Sequence, residues 1–368
     1  MAAGSSTRVV MIAFIGNALI AVSKLTAAAI TGSSAMFAEG IHSIVDSGNQ
    51  LLLLYGIKRS TRPADARHPF GYGMEIYFWS FVVAILLFSI GAGVSLYEGI
   101  EKIRHPHPVA SPHINFIVLG LAMVFEGYAF WAAIKEMNRR RRPDESVFSY
   151  IRRSKDAPLV VVLLEDAGAM FGLMIATLAL AGVLLLDMPV LDGVASVIIG
   201  TLLALAAVVL AIETKALLIG EAASPRIQKG IRDIVDADRS IIAINEVLTM
   251  HLGPEDILCA LSVDFADTAS SIDVEASISD LERSIKAEFP QVKRLFVEAQ
   301  SVLAHAKSIE IADIYREDGA KAGASYCKVE ASRSAVASRP ARAASTDFRN
   351  VARSKGLAST ALARASRL

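Results

Sequence analysis

The stretch AEGIHSIVDSGNQ, residues 38–50, decides how the chain is read. It lies inside the apolar run Ser34–Ile57, long enough to cross a bilayer, since a span needs about 20 predominantly apolar residues. Yet Glu39, His42, Asp46, Asn49 and Gln50 crowd into it. Such groups are costly in hydrocarbon, and those retained there usually have a function. His42 and Asp46 are four residues apart, hence on one helix face, one turn apart. An imidazole nitrogen beside a carboxylate oxygen makes half of a site for zinc or a similar divalent ion. In a soluble helix the pair reads as an ordinary ion pair; within a span it must offset its own desolvation.

Composition agrees with a membrane setting. Of 368 residues 53% are hydrophobic and 20% charged, apolar for a soluble domain, and the apolar residues come in blocks. Five further runs qualify as spans: Val9–Thr31, Ile76–Ile100, Ile114–Ile134, Leu159–Leu186 and Val190–Leu218. The first reads as a spanning helix rather than a removed signal, because no small-residue cleavage site follows it. The short links TGSS and LDMP predict packed helical hairpins. Net charge is zero, so bulk charge points to no partner, and the two cysteines, Cys259 and Cys327, form neither a disulfide framework nor a zinc-finger spacing.

Lysine and arginine set the expected orientation. Lys58, Arg59, Arg62 and Arg67 follow the second run, and Arg139–Arg142, Arg152, Arg153 and Lys155 follow the fourth. The opposite links hold only Lys102 and Arg104. The basic loops and both termini are therefore expected on the cytoplasmic side of a plasma (inner) membrane. Topology already accounts for NRRRRP, so no nucleic-acid partner is expected. No HExxH, nucleophile elbow or P-loop is present, which argues against a membrane enzyme.

Beyond Gly220 the texture becomes that of a small soluble domain. Ile227, Ile231 and Ile234 recur at helical spacing, as do Val274, Ile278, Leu281 and Ile285. INEVLTMHLGPEDILCALSVDF reads as two strands about Gly253–Pro254, and VKRLFVEAQ as a third. The fold class is thus a polytopic α-helical membrane protein with six transmembrane helices, plus a small cytosolic ferredoxin-like α+β (αββαβ) domain. The expected domains are residues 8–220, 221–304 and a basic Ala/Ser/Arg-rich tail, 305–368, read as disordered, with contact to anionic lipid as its livelier role.

A second acidic pair, Glu165 and Asp166, interrupts the fifth run. Adjacent helical positions point about 100° apart, so one is expected to face a site and the other a neighbouring helix or water-filled crevice. Acidic groups in two spans, with a histidine in one, favour a cation site at a helix interface. Glu126 in the fourth run and Asn17 in the first are further intramembrane polar groups, candidates for a proton path or for pairing with another helix. Asp192 reads as a span-end residue or cap. His68, His105, His107 and His113 read as loop or span-end histidines, and His251 as structural.

Taken together, AEGIHSIVDS at 38–47, HPFGYGMEIYFWS at 68–80, LLIGEAAS at 217–224 and HLGPEDIL at 251–258 resemble the cation diffusion facilitator family over about residues 8–303. LLEDAGAMFG and IHSIVDSGNQ are similar to the branch that contains a eukaryotic mitochondrial zinc transporter. The resemblance implies export of Zn²⁺ or a related divalent ion, usually by a homodimer exchanging metal for protons. It implies a tetrahedral site from the second and fifth spans, with His42, Asp46 and Asp166 as ligands. With Gly172 as anchor, Val162 falls where the family commonly has histidine. Glu165 is then a candidate substitute, and an oxygen-richer site would move preference towards Mn²⁺ or Fe²⁺. Leu261 stands where the soluble domain often has a histidine, so that domain is expected to serve dimerisation rather than metal binding.

The implied mechanism is alternating access around this site, with protons displaced by metal, because ligands bind deprotonated. Glu39 and Asn49 are expected to orient ligands or line the path, and Gln50 to pack between helices. No prosthetic group is expected; the partners are the divalent cation, protons, membrane lipid and a second copy of the chain. The alternative is a non-transporting scaffold or regulator that keeps the transporter fold.

Overall fold

The computed structural model describes residues 2–31, 34–106 and 112–311, with side chains described throughout except at 2–3, 31, 34–39, 41 and 42. Among the described residues six long helices form a bundle: α1 (Ala2–Thr31), α2 (Ser34–Ser60), α3 (Glu75–Arg104), α4 (Pro112–Arg140), α6 (Ala157–Leu186) and α7 (Val190–Ile219). A short helix, α5 (Val147–Arg153), precedes α6. Five of the six are long and apolar enough to span a bilayer by composition alone. The other is α2, whose 27 residues carry the polar stretch of residues 38–50. At ~1.5 Å per residue it still exceeds the hydrocarbon thickness. The chain is a multi-pass membrane protein with six transmembrane helices.

The helices run longer than the apolar runs because their ends carry polar turns into the aqueous region. α3 contains a π-helical segment, Leu87–Ala92, which shifts the facing of its second half. That second half meets α7 closely: a Cβ on Gly99 would lie 2.7 Å from the Val197 nitrogen, and one on Gly193 2.8 Å from that of Ile103. Glycine therefore allows this backbone approach, a common device where helices pack in lipid.

The C-terminal domain has the predicted αββαβ order. It comprises α8 (Pro225–Asp236), β1 (Ile241–Gly253), β2 (Asp256–Phe265), α9 (Ser271–Glu288) and β3 (Val292–Ala299). The sheet order is β1-β2-β3, with β1 antiparallel and β3 parallel to the central strand. The parallel pair requires a crossover, which α9 supplies. Ile231, Leu281 and Ile285 fill the core against Ile257, Leu261 and Val263, with Ile227, Ile234, Val274 and Ile278 packed around it. Ser270 and Asp273 form a capping box at the start of α9. Residues 302–311 are helical, so the expected disordered tail does not begin at 305; its remainder, 312–368, lies outside the described residues.

The bundle is packed unequally along its length. Towards the end that meets the C-terminal domain, Val10, Leu53, Tyr77, Ala133, Leu159, Val161, Val162 and Leu210 form one apolar core. Arg140 closes the same end: it bonds Glu136 on its own helix at 2.7 Å, Asp156 at the N-cap of α6, and Ser5 and Ser6 of α1. Three helices are thereby tied through one guanidinium, whose five fixed donors suit such convergence. Lys155 pairs with Glu221 at the entry to the domain. A Cβ on Gly73, in the α2–α3 loop, would collide with the carbonyl of Leu252 at the end of β1.

Arg140→Met leaves buried carboxylates without their cation and is expected to cost about 3 kcal/mol. Arg283→Ala, which breaks an exposed pair, is expected to cost under about 0.5 kcal/mol. Thermal unfolding in detergent, read by circular dichroism, checks the contrast. His251 provides a pH test: it is buried in β1, with Nδ1 3.2 Å from the Gly253 carbonyl oxygen. Burial there lowers its pKa below the ordinary 6.5. The unfolded chain thus binds the extra proton first. Its contribution to stability is complete above pH 6.5 and falls as the pH drops from there towards the lowered native value. His251→Asn is expected to flatten that part of the thermal-midpoint profile.

Candidate metal-ion site in the membrane bundle

Four helices bring polar groups to the bundle midsection. On α1 the stripe is Asn17, Ile20 and Lys24; on α4 it is Leu119, Ala122 and Glu126. Both follow the i, i+3, i+7 spacing of one helix face. α2 contributes Ser43 and Asp46, and α6 contributes Glu165, Asp166, Ala169 and Leu173. α3 and α7 complete the walls with mostly apolar residues, including Leu87 and Leu203. Together these faces enclose a crevice of about 270 Å³.

The crevice has a direction. Its deepest residues are Asn17, Asp46, Glu126, Glu165 and Asp166, and beneath them lies the apolar core described above. From that floor it runs towards Glu98, Lys102 and Asp192, at the ends of α3 and α7 remote from the C-terminal domain. There Lys102 pairs with Asp192 at 3.0 Å. Asp192, expected as a span-end group, therefore sits at the crevice mouth.

The floor is acidic. The charges of Asp46, Glu126, Glu165 and Asp166 act on one another, Glu126 interacting with both Asp46 and Asp166. Lys24 is the ammonium that acts on Glu126. Asp166 is only 1% exposed, and its Oδ2 has no hydrogen-bond partner among the described residues. A buried carboxylate oxygen left in this state carries a desolvation cost that a cation would relieve.

Glu165 differs from its neighbour. Gln50 Nε2 donates to its Oε2 at 2.9 Å, and Asn49 Nδ2 lies 3.5 Å from its Oε1. Both amides come from α2, so the three side chains tether α2 to α6 just beside the floor. Gln50, expected only to pack, is the shortest-range partner of this carboxylate. Sequence spacing could not reveal that pairing, because 115 residues separate the two.

The expected ligands are brought together in part. Asp46 and Asp166 share the floor with Glu126 and Asn17. Among the described residues no three His, Cys, Asp or Glu side chains stand at metal-ligand spacing. The side chains of His42 and Glu39 lie outside the described residues. Val162 is fully buried in the apolar core one turn below Asp166 and does not line the crevice. Lys24, Ser43, Glu98 and Ser95 line it without having been singled out in sequence. Their i, i+3 and i+7 spacing to Asp46, to each other and to Asn17 was the available signal. In the C-terminal domain Leu261 is buried in the core.

These features define a multi-pass membrane protein whose acidic site is reached from one end of a six-helix bundle. Residues 10–219 match the family model described as the cation efflux transmembrane domain, and the chain belongs to the cation efflux family. It is 33% identical over 259 residues to a mitochondrial proton-coupled zinc antiporter of Xenopus laevis, covering 70% of this chain and 46% of that protein. The same-named protein of Homo sapiens is 32% identical over 259 residues, with the same coverage, 70% and 46%. Metal tolerance protein C4 of Arabidopsis thaliana is 28% identical over 236 residues, 64% of this chain and 52% of its own length. The chain thus spans about half the length of these curated relatives.

Cysteine accessibility tests the crevice directly. In a background lacking Cys259 and Cys327, Ser95→Cys and Ser196→Cys are expected to react with a water-soluble thiol reagent added on the side opposite the C-terminal domain. Val162→Cys is expected to remain unmodified. Mass spectrometry of the labelled protein distinguishes the three.

Proposed function

We propose that this protein moves divalent cations, Zn²⁺ foremost, across a membrane in exchange for protons, by alternating access about a midplane site containing His42, Asp46 and Asp166. The observation that carries the reading is the crevice: an acidic floor open to one end of the bundle and sealed from the other by apolar packing and the Arg140 network. Asp166 Oδ2 supplies an unpartnered ligand atom on that floor. The names of the zinc antiporter relatives support the choice of ion and counter-ion. Metal binds to deprotonated ligands, so arrival of the cation releases protons and reprotonation from the far side helps expel it. His42, with an ordinary imidazole pKa of ~6.5, suits that exchange.

The proposed division is a transmembrane domain at 8–220, a C-terminal domain at 221–304 and a terminal segment from 305, of which residues 305–311 are helical. The positive-inside rule puts the basic loops and the C-terminal domain on the cytoplasmic side of a plasma or inner membrane, or on the matrix side of a mitochondrial one. Metal enters from that side and leaves through the crevice described above. The C-terminal domain joins two copies: Leu248, Ala260 and Phe296 stand in one row across the open face of its sheet, with Leu248 and Phe296 exposed.

Transport by the full chain in proteoliposomes with an internal pH dye tests the proposal across Zn²⁺, Mn²⁺, Fe²⁺, Co²⁺ and Cd²⁺. Zn²⁺-dependent proton movement is expected, and Asp46→Asn or Asp166→Asn should slow it by at least ~10-fold. No Zn²⁺-dependent proton flux would instead favour a non-transporting scaffold. Wild-type rates in both variants would sink the site assignment.

A further inference from the structure

The histidine that the family resemblance leads one to expect at position 162 is a valine here, and Glu165, the nearest acidic substitute in sequence, is already held by Gln50 and Asn49. The structure offers a different carboxylate. Glu126 is the deepest residue of the α4 stripe that faces the crevice. Ordinary van der Waals contacts flank it on two sides. On one side a Cβ at Gly16 of α1 would lie 3.6 Å from the carbonyl oxygen of Phe125. On the other, a Cβ at Gly127 would lie 3.9 Å from the Met170 sulfur of α6. α4 packs between α1 and α6 at this level, and Glu126 lines the crevice together with Asp46 and Asp166; the three carboxyls do not stand at metal-ligand spacing, so an ion must draw them together. Glu126 interacts electrostatically with both, and with Lys24.

A group of acids alone would not make a site. The second observation is the Oδ2 of Asp166: fully buried, on the same floor, and without a hydrogen-bond donor among the described residues. Donors are the natural companions of a buried carboxylate, and a site with several acceptors and an unpaired oxygen is arranged for a cation instead.

Resting on the transport reading above, we infer that Glu126 of α4 is a ligand of the transported cation, taking the place left by Val162, and that Glu165 positions α6 without binding the ion. The site is then built from α2, α4 and α6 rather than from two helices. With one imidazole and three carboxylates it is richer in oxygen than a two-histidine site, which widens the range of divalent ions it accepts beyond Zn²⁺ to Mn²⁺ and Fe²⁺. Lys24 provides the positive charge near Glu126 until the ion arrives, so lysine and metal compete for the same carboxylate.

The test is equilibrium binding of Zn²⁺ and Co²⁺ to the purified full chain in detergent, by competition with a chromophoric chelator and by the visible spectrum of Co²⁺. Glu126→Gln is expected to weaken binding by at least ~10-fold and to change the Co²⁺ spectrum, whereas Glu165→Gln stays within about threefold of wild type. Glu126→Asp, which keeps the charge, should bind more tightly than Glu126→Gln, and guards against a folding defect in the amide variant. Lys24→Met is expected to tighten binding in the wild-type background and to have no effect in Glu126→Gln, a coupling that a merely structural role for either residue would not produce. Asp46→Asn and Asp166→Asn serve as references. If they lose binding while Glu126→Gln keeps it, Glu126 is not a ligand and the site has only two contributing helices. If all three bind like wild type, the site reading itself fails.

Discussion

A carboxylate deep in a membrane bundle is tolerated only when hydrogen bonds, a cation or water offset its desolvation. This protein places four of them, Asp46, Glu126, Glu165 and Asp166, around one crevice floor. Much of the bundle can be understood as the means of keeping them there. Two α2 amides satisfy Glu165. Water entering the crevice can reach the floor, and Lys24 acts on Glu126. On the reading proposed here, the oxygen of Asp166 that none of these satisfies is where an ion would complete the arrangement.

The same constraint explains the unequal packing. Below the floor the helices meet through large apolar side chains, and above it they part around polar and small residues. An apolar core is close-packed and passes neither water nor ions, so the seal lies on the side of the C-terminal domain. Arg140 adds a polar clasp there across α1, α4 and α6. The domain itself is in touch with this end through Lys155–Glu221 and the Gly73–Leu252 approach. On the reading proposed here, opening the sealed end requires the α1, α4 and α6 ends to part, and the domain lies where it can favour or resist that step.

Much of the architecture was legible from local pattern. Six spans and the αββαβ order followed from apolar runs and from helical and strand periodicity, because burial in lipid or in a small core imposes those periods on the chain. Asp46, Glu126, Asp166 and Asn17 were legible as site candidates for a different reason: each is a polar residue inside a span-length apolar run, and that contrast is visible along the chain. Lys24, Ser43 and Glu98 were harder, since they lie near span ends, where polar residues are ordinary. Gln50 packs between helices as expected, but its partner, Glu165, depends on which helix lies opposite. The π-helical segment of α3 has no marker among residues 87–92 that separates it from plain helix.

The sequence by itself thus determined that there is a polar site in a six-helix membrane bundle, and which residues are eligible for it. Hydrophobic spacing is a property of the chain, and so is the presence of an acid inside an apolar run. Only the tertiary structure decided which of the eligible acids share a floor, which one is held by amides, which end of the bundle is open, and that Val162 belongs to the core beneath. Those outcomes depend on how helices more than 100 residues apart meet. Crossings such as Gly16 on Phe125, or Gly99 on Val197, are set by the fit of whole surfaces and not by any spacing within one segment.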